Sequence, residues 1–195
     1  MELILASTSP YRRRLLERLG LPFSCSPPRV EERALPGEPP AELAGRLALA
    51  KAEAVMRDNP AALVIGSDQV AALGARIFGK PGDFDRARQQ LTACSGRELL
   101  FHTGIALRCA ESGLSLCWVE PFTVRFRELA PWEIDQYLQR EQPWDCAGSF
   151  RWEGLGISLF EHLRGDDPTA LEGLPLIALC RLLRQAGCEL YPAPA

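Results

Sequence analysis

Histidine is scarce in this chain, whose 195 residues include only His102 and His162. Two histidines leave too few imidazoles for a multi-histidine zinc site. Any metal that the protein uses is therefore expected to be a hard cation, held by carboxylates and by substrate phosphates.

The chain also lacks a basic surplus and a long apolar run. Lys and Arg number 22 against 25 Asp and Glu, so the net charge of −3 argues against general nucleic-acid binding. No apolar run reaches membrane-spanning length, and no signal peptide precedes the first predicted strand. We therefore expect a globular cytoplasmic protein with neither a membrane nor a nucleic acid as partner.

Disulfide chemistry is not indicated, although the chain has seven cysteines. The number is odd and no CxxC spacing occurs. Four of them lie in apolar-patterned segments, where a free cysteine behaves as a small hydrophobic residue: Cys94, Cys109, Cys117 and Cys180. This usage is typical of a reducing compartment.

Predicted helices and strands alternate along the chain, which indicates an α/β fold with a mixed sheet in a single domain, 1–195. The predicted strands are 3–6, 63–65, 70–73, 77–78, 99–107, 116–126 and 157–163. The predicted helices are one that starts at Pro10 and ends by Gly20, then 41–56, 83–94, 131–140 and 174–186.

The opening LILASTSPYRRRLLERLG joins a short apolar strand to a helix. Ser9 and Pro10 are typical of an N-cap and a first helical residue. Backbone N–H groups at such a helix start bind anions, Ser7 adds a hydroxyl, and Arg12 and Arg13 add guanidinium groups suited to phosphate. The alternative is a capped amphipathic helix with a solvated basic face.

Further charged residues strengthen the phosphate hypothesis. Asp68 follows the predicted strand 63–65, at the carboxyl end where α/β proteins place ligands. Lys80 lies in a stiff Gly-Lys-Pro turn, and Lys51 lies on a helix among small apolar neighbours. Each alone is more often structural. Together with Glu32 and the arginines, they form a set with cations for phosphates and carboxylates for Mg²⁺ or Mn²⁺ and for a water.

Several long motifs occur in the order in which the Maf family of nucleoside triphosphate pyrophosphatases has them, and over essentially the whole chain. They are LILASTSPYRRRLLERLG, LALAKAEAV, VIGSDQV, FGKP, FHTGIAL, VRFRELAPWEIDQYL and EGLPLIAL. The chain thus resembles that family. The resemblance implies a Maf-like (ITPase-like) fold, with a long bent sheet and two α/β lobes flanking a central cleft. It also implies hydrolysis of a nucleoside triphosphate to the monophosphate and diphosphate by a metal-dependent cytoplasmic homodimer.

The resemblance also implies roles for individual residues. Asp68 falls on the position of the family's proton acceptor, and Glu32 on that of an acidic loop residue; both are candidate metal ligands. The positions that grip phosphate in the family correspond to Ser7, Arg12, Arg13, Lys51 and Lys80. Our chemical interpretation agrees, because these cations would neutralise charge that develops on a pyrophosphate leaving group.

Three departures from the common family pattern bear on the base. Tyr11, Gln69 and Glu153 form a triplet that resembles the YceF-like subfamily, which is associated with 7-methyl-GTP. N7-methylation makes guanine cationic, so the ring of Tyr11 or Trp152 would attract it. The Glu153 carboxylate could accept from N1–H and N2–H of the guanine. Alternatively, Trp152 is a core aromatic residue and Glu153 a solvated turn residue.

Other functions stay open at the level of sequence. Within the same enzyme class, the substrate could be dTTP, UTP or another modified nucleotide, and Glu98 replaces a histidine found in many relatives. From other classes, the alternatives are a non-catalytic nucleotide-sensing regulator of cell division and a nucleotidyltransferase.

Overall fold

A computed structural model describes residues 2–191, which form two compact units. The first unit contains the chain up to Gln69, Thr103–Glu120 and the chain from Asp167 onward; the second contains Val70–His102 and Pro121–Asp166. The helices are α1 (Pro10–Glu17), α2 (Pro40–Met56), α3 (Phe84–Cys94), α4 (Pro131–Glu141) and α5 (Leu176–Gln185). The strands are β1 (Leu3–Ala6), β2 (Ser24–Cys25), β3 (Leu63–Leu73), β4 (Arg76–Phe78), β5 (Glu98–Cys109), β6 (Leu114–Phe126) and β7 (Phe160–Arg164).

The seven strands form one mixed sheet, which confirms the predicted α/β class. Its order is β2-β1-β3-β5-β6-β7, and β4 pairs with β3. Strand β1 is parallel to both β2 and β3, whereas the pairs β3–β4 and β6–β7 are antiparallel. Among the described helices, none combines the length and the apolar character that crossing a membrane requires.

In the first unit, β1 is buried on both of its faces. Leu3 and Leu5 belong to a core cluster that includes Leu15 and Leu16 of α1 and several residues of α5. The alternate residues of the strand, Ile4 and Ala6, belong to a second cluster with alanines of α2. The unit is therefore three-layered: side chains of β1 alternate between the α1–α5 side and the α2 side.

Two glycines let α2 approach the sheet of the first unit. A Cβ built on Gly66 of β3 would lie 2.1 Å from the Ala48 carbonyl oxygen, and one on Gly104 of β5 would lie 2.2 Å from that of Ala44. Only a residue without a side chain tolerates a helix backbone this close. Lys51, on the same helix, is held beside β3 by this contact.

The second unit is centred on aromatic rings. Phe126 and Phe150 pack edge to face with each other, and Phe101 and Phe160 pack in the same way around them. Such edge-to-face pairs stabilise a core beyond the area that they bury.

Two predicted elements of the sequence were wrong. Strand β3 does not end near residue 65 but continues to Leu73, because it pairs with β1 as far as Gly66 and with β4 from Ala71. Asp68 thus lies inside a long strand, at the stretch where the pairing partner changes. The predicted strand 157–163 begins instead with a 3₁₀ helix, Leu155–Leu159, so that β7 starts only at Phe160.

The seven cysteines are free thiols. Cys94 and Cys109 are buried, as their apolar surroundings in the sequence predict, and Cys180 is half-buried. Cys117 is exposed, because the portion of β6 that carries it is largely accessible. The apolar pattern around Cys117 was therefore misleading.

The close approach of α2 predicts the effect of one methyl group. Gly66→Ala should lower the free energy of unfolding by about 1–3 kcal/mol, because the new Cβ collides with the backbone of α2. Urea denaturation followed by circular dichroism measures this change. Gly79→Ala is the control, since a Cβ there meets nothing within 4 Å; its effect should stay within about 0.5 kcal/mol. Equal effects of the two substitutions would contradict the close contact.

Candidate active site

The turn from β1 into α1 has the predicted N-cap. The Ser9 side chain accepts from the Arg12 N–H at 3.4 Å, and Pro10 is the first helical residue. The buried Ser7 hydroxyl accepts from the Ser9 N–H at 3.1 Å. Two serines therefore organise the start of α1, where the helix dipole favours an anion.

Lys51 joins two carboxylates that are far apart in the sequence. Its Nζ lies 2.6 Å from Asp68 Oδ1 and 2.5 Å from Glu32 Oε1. Lys51 and Asp68 are 4% and 6% exposed, whereas the Glu32 side chain, which comes from the loop before α2, is 57% exposed. A buried ion pair thus extends to the surface through Glu32.

Opposing effects set the ionisation of Asp68. Burial is the largest and raises the pKa of the carboxyl, while the charge and hydrogen bond of Lys51 lower the pKa. The Arg12 charge also lowers this pKa, and the Glu32 charge raises it. Asp68 is therefore a buried carboxylate with a raised pKa, in a field of cations.

Arg12 lies near the same carboxylates. Burial lowers the pKa of its guanidinium, and the charges of Asp68 and Glu32 oppose that effect. Its Nε donates to the Gly173 carbonyl at 2.8 Å. One edge of the guanidinium is thereby fixed by the backbone that precedes α5.

Residues 167–175, which we call the Asp167 segment, accept hydrogen bonds from β3 and β5 through their carbonyls. Ser67 Oγ lies 2.8 Å from the Gly173 carbonyl oxygen and shares its proton with the Gly104 carbonyl at the same distance. Thr103 Oγ1 donates to Ala170 at 2.9 Å. Gln69 Nε2 donates to Ala170 at 2.6 Å and also to Leu171. Gln69 is a predicted base-specificity residue, and its NH₂ group is therefore occupied by hydrogen bonds to this backbone.

The structure does not join every predicted site residue to Lys51. Arg13 is exposed and forms an ion pair with Glu17 at 3.1 Å, one turn along α1. Tyr11 is half-buried at the start of α1. Lys80 and Glu153 are exposed residues of the second unit, and their assignment to the site stays a prediction.

Two carboxylates, Glu32 and Asp68, are the candidate ligands for a divalent cation. Both contact the same ammonium group, so their oxygens already converge on a positive charge. No cluster of three or more His, Cys, Asp or Glu suited to a metal occurs in the part of the chain described. One or two carboxylates completed by substrate phosphates is a common arrangement for Mg²⁺, and the residues fit that arrangement.

Comparison with known proteins identifies the family. The model of the Maf-like protein family matches residues 2–186, and the chain belongs to this family. Its relatives include proteins named 7-methyl-GTP pyrophosphatase from Nitrosococcus oceani (58% identical, covering 97% of this chain and 94% of that one) and Polaromonas sp. (53% identical, 97% and 86%). A third protein of that name, from Pseudomonas putida, is 51% identical and covers 96% of this chain and 97% of that one.

Solved structures show a weaker likeness. The Staphylococcus aureus Ham1 protein gives a TM-score of 0.46 with 14% identity, over 65% of this chain and 72% of that one. A nucleoside-triphosphatase / dITP/XTP pyrophosphatase from Mycobacterium abscessus gives 0.45 with 18% identity, over 99% of this chain and 100% of that one.

Sequence reasoning missed the groups that hold the site in place. The contact of Ser67 with the Gly173 carbonyl and that of Thr103 with the Ala170 carbonyl were not predicted, and Asp167 was not predicted at all. The available signal was the EGLP motif, whose glycine has a φ of +93° and marks a special backbone turn.

The ion pair predicts a strong dependence of stability on Lys51. Lys51→Met should lower the free energy of unfolding by about 3 kcal/mol, because Asp68 loses its buried counter-charge. Chemical denaturation measures the loss, and Lys51→Met/Asp68→Asn should recover part of it. The control is Arg57→Met, which removes an exposed pair with Glu53 at the C-terminal end of the same helix and should cost below about 1 kcal/mol. An equal loss in the two single variants would contradict a special role for the buried pair.

Proposed function

We propose that this protein is a nucleoside triphosphate pyrophosphatase that hydrolyses 7-methyl-GTP to 7-methyl-GMP and diphosphate. The observation that carries the proposal is the contact of Lys51 Nζ with both Asp68 and Glu32, in the field of Arg12. This arrangement combines a candidate base with cations suited to phosphate. The names of the relatives, at 51–58% identity over nearly the whole chain, support the same activity.

In this reaction, Asp68 accepts the proton of the water that attacks the α-phosphorus. A carboxylate whose pKa is raised by burial is a better base than an exposed one. Lys51 orients Asp68 through its hydrogen bond and keeps a positive charge next to it. A divalent cation, Mg²⁺ or Mn²⁺ held by Glu32 and Asp68, would neutralise phosphate oxygens when bound.

Phosphate binding is assigned to the start of α1 and to the basic side chains. Ser7 and the helix N-terminus would contact phosphate oxygens, and Arg12 would neutralise charge on the leaving group. Arg13 and Lys80 are exposed and are proposed to add to this charge. Binding of phosphate by Arg13 requires its guanidinium to leave the ion pair with Glu17.

Recognition of the methylated base is assigned to Tyr11, Gln69 and Glu153. The Tyr11 ring would attract the cationic purine, and Glu153 would accept from its N1–H and N2–H. The NH₂ group of Gln69 bonds to the Asp167 segment, so its proposed contribution is to hold that backbone in place. We further propose that the enzyme acts as a cytoplasmic homodimer.

A nucleotide panel tests the proposal. Purified protein with Mg²⁺ is given 7-methyl-GTP, GTP, UTP or dTTP, and released diphosphate is measured with a coupled inorganic pyrophosphatase. The kcat/KM for 7-methyl-GTP should exceed that for UTP by at least about 100-fold, because a carboxylate matched to two donors rejects pyrimidine acceptors. Comparable rates would contradict the base assignment, and binding without hydrolysis would favour a nucleotide sensor.

The role of Asp68 predicts a selective loss of turnover. Asp68→Asn should lower kcat by about 10²–10⁴-fold, because the amide cannot accept the proton of the water. The circular dichroism spectrum should be unchanged, since Lys51 retains its contact with Glu32. Turnover near that of the wild type would contradict the assignment of Asp68 as base.

The base contact predicts a substrate-specific effect at Glu153. Glu153→Gln should lower kcat/KM for 7-methyl-GTP by about 10–100-fold, the typical loss of a charge-assisted hydrogen bond. The low kcat/KM for UTP should be nearly the same in Glu153→Gln as in the wild type. Glu161→Gln, at another exposed carboxylate of the second unit, is the control and should leave both rates unchanged. A uniform fall for all nucleotides would remove Glu153 from base recognition.

A further inference from the structure

Asp167 is a buried carboxylate that takes no part in the proposed chemistry. Its Oδ1 accepts from the Thr169 N–H at 3.0 Å and from the Thr169 hydroxyl at 2.6 Å. Its Oδ2 accepts from the Ile177 N–H at 2.6 Å, in the first turn of α5. The side chain thus joins the start of the Asp167 segment to the start of α5, which has no side-chain cap from its own N-cap residue.

Thr169 continues this network. Its Oγ1, which donates to Asp167, also accepts from the Leu176 N–H at 2.8 Å. The Gly173 N–H donates to the Ala170 carbonyl, so the segment is closed by bonds from both ends. These bonds pair the backbone polar groups of the segment and restrain its conformation.

The carbonyl that this network fixes is the one that holds Arg12. Gly173 O accepts from Arg12 Nε at 2.8 Å, and Ser67 Oγ, whose proton the Gly104 carbonyl shares, lies 2.8 Å from it. A Cβ on Gly173 would lie 3.2 Å from Arg12 Nε, so the guanidinium rests directly against this residue. Any shift of the carbonyl therefore moves the guanidinium, which lies near Asp68 and Glu32.

We propose that Asp167 is a positioning residue for phosphate binding: it fixes the Gly173 carbonyl, and through it the orientation of the Arg12 guanidinium. The inference rests on the proposed function, because it assumes that Arg12 binds the diphosphate part of the substrate. A guanidinium fixed at Nε presents its two Nη groups in a constant direction. Small misplacements of such a group cost much of its contribution to binding and catalysis.

Asp167→Asn is the first test. The substitution keeps the size of the side chain but replaces one acceptor oxygen with an NH₂ group, which must then face the N–H of Thr169 or of Ile177. The Kd for inorganic pyrophosphate with Mg²⁺, measured by calorimetry, should rise by about tenfold or more, and kcat/KM for 7-methyl-GTP should fall in parallel. An unchanged Kd would overturn the proposal.

A double-mutant cycle separates positioning from general support of the fold. Arg12→Lys keeps the charge, so that binding remains measurable, but lacks the Nε–H that Gly173 accepts. If Asp167 acts through Arg12, Asp167→Asn should change the Kd by less than about twofold in the Arg12→Lys background. The same tenfold change in both backgrounds would show that Asp167 acts by another route, and would overturn the proposal.

Gly173→Ala provides a second variant, which keeps the proposal testable if Asp167→Asn fails to fold. Its control is Gly187→Ala. Both glycines have positive φ, +93° and +75°, but a Cβ on Gly187 meets nothing within 4 Å. Gly173→Ala should weaken pyrophosphate binding by about tenfold, whereas Gly187→Ala should leave binding unchanged although it carries similar backbone strain. Equal Kd values for these two variants would overturn the proposal.

The pyrophosphate measurement also distinguishes this inference from the proposed function. If the wild type binds pyrophosphate but hydrolyses no nucleotide, the proposed activity is wrong. The double-mutant cycle of Asp167→Asn with Arg12→Lys then still tests the role of Asp167. If the wild type hydrolyses 7-methyl-GTP but the cycle is additive, only the positioning role fails. If the wild type does not bind pyrophosphate, Arg12 is not a diphosphate ligand and the inference is overturned.

Discussion

The first unit depends on keeping one ammonium group, that of Lys51, beside the buried carboxylate of Asp68. Moving two charges out of water is costly, and only a short, well-placed contact compensates for the loss of hydration. Two features of the backbone provide that placement. Gly66 and Gly104 let α2 lie directly on the sheet, and β3 continues past Gly66 so that Asp68 faces the helix from within a strand. Glu32 then extends the pair to solvent, where a substrate could reach it.

A second constraint acts on the other side of the same strand. Ser67 and Gln69 flank Asp68 and bond to carbonyls of the Asp167 segment. Because side chains alternate along a strand, one short stretch of β3 serves both tasks: Asp68 contacts the ion pair, and its two neighbours anchor the segment. Arg12 bonds to the same segment through Gly173, so α1, β3 and the start of α5 are joined at one point.

These contacts explain how a chain with a small net negative charge can carry a cationic site. Arg12 and Lys51 are each close to carboxylates that compensate their charge in the absence of substrate. A triphosphate would compete with those carboxylates for the same cations. The family match over residues 2–186 and the relatives named 7-methyl-GTP pyrophosphatase agree with chemistry of this kind.

The sequence by itself determined the local features of the molecule. The Ser9–Pro10 start of α1, the amphipathic helices and the α/β class follow from side-chain preferences that act over a few residues. Tertiary structure decided that the two predicted strands 63–65 and 70–73 join into one, since β3 pairs with β1 as far as Gly66, with β4 from Ala71 and with β5 on its other edge. It also decided the partner of Arg12. Arg13 forms an ion pair with Glu17 one helical turn away, a spacing that the helix itself favours, whereas its neighbour Arg12 bonds to Gly173, a residue 161 positions away. A contact between residues so far apart depends on how the elements pack, and the sequence pattern around either residue does not predict it.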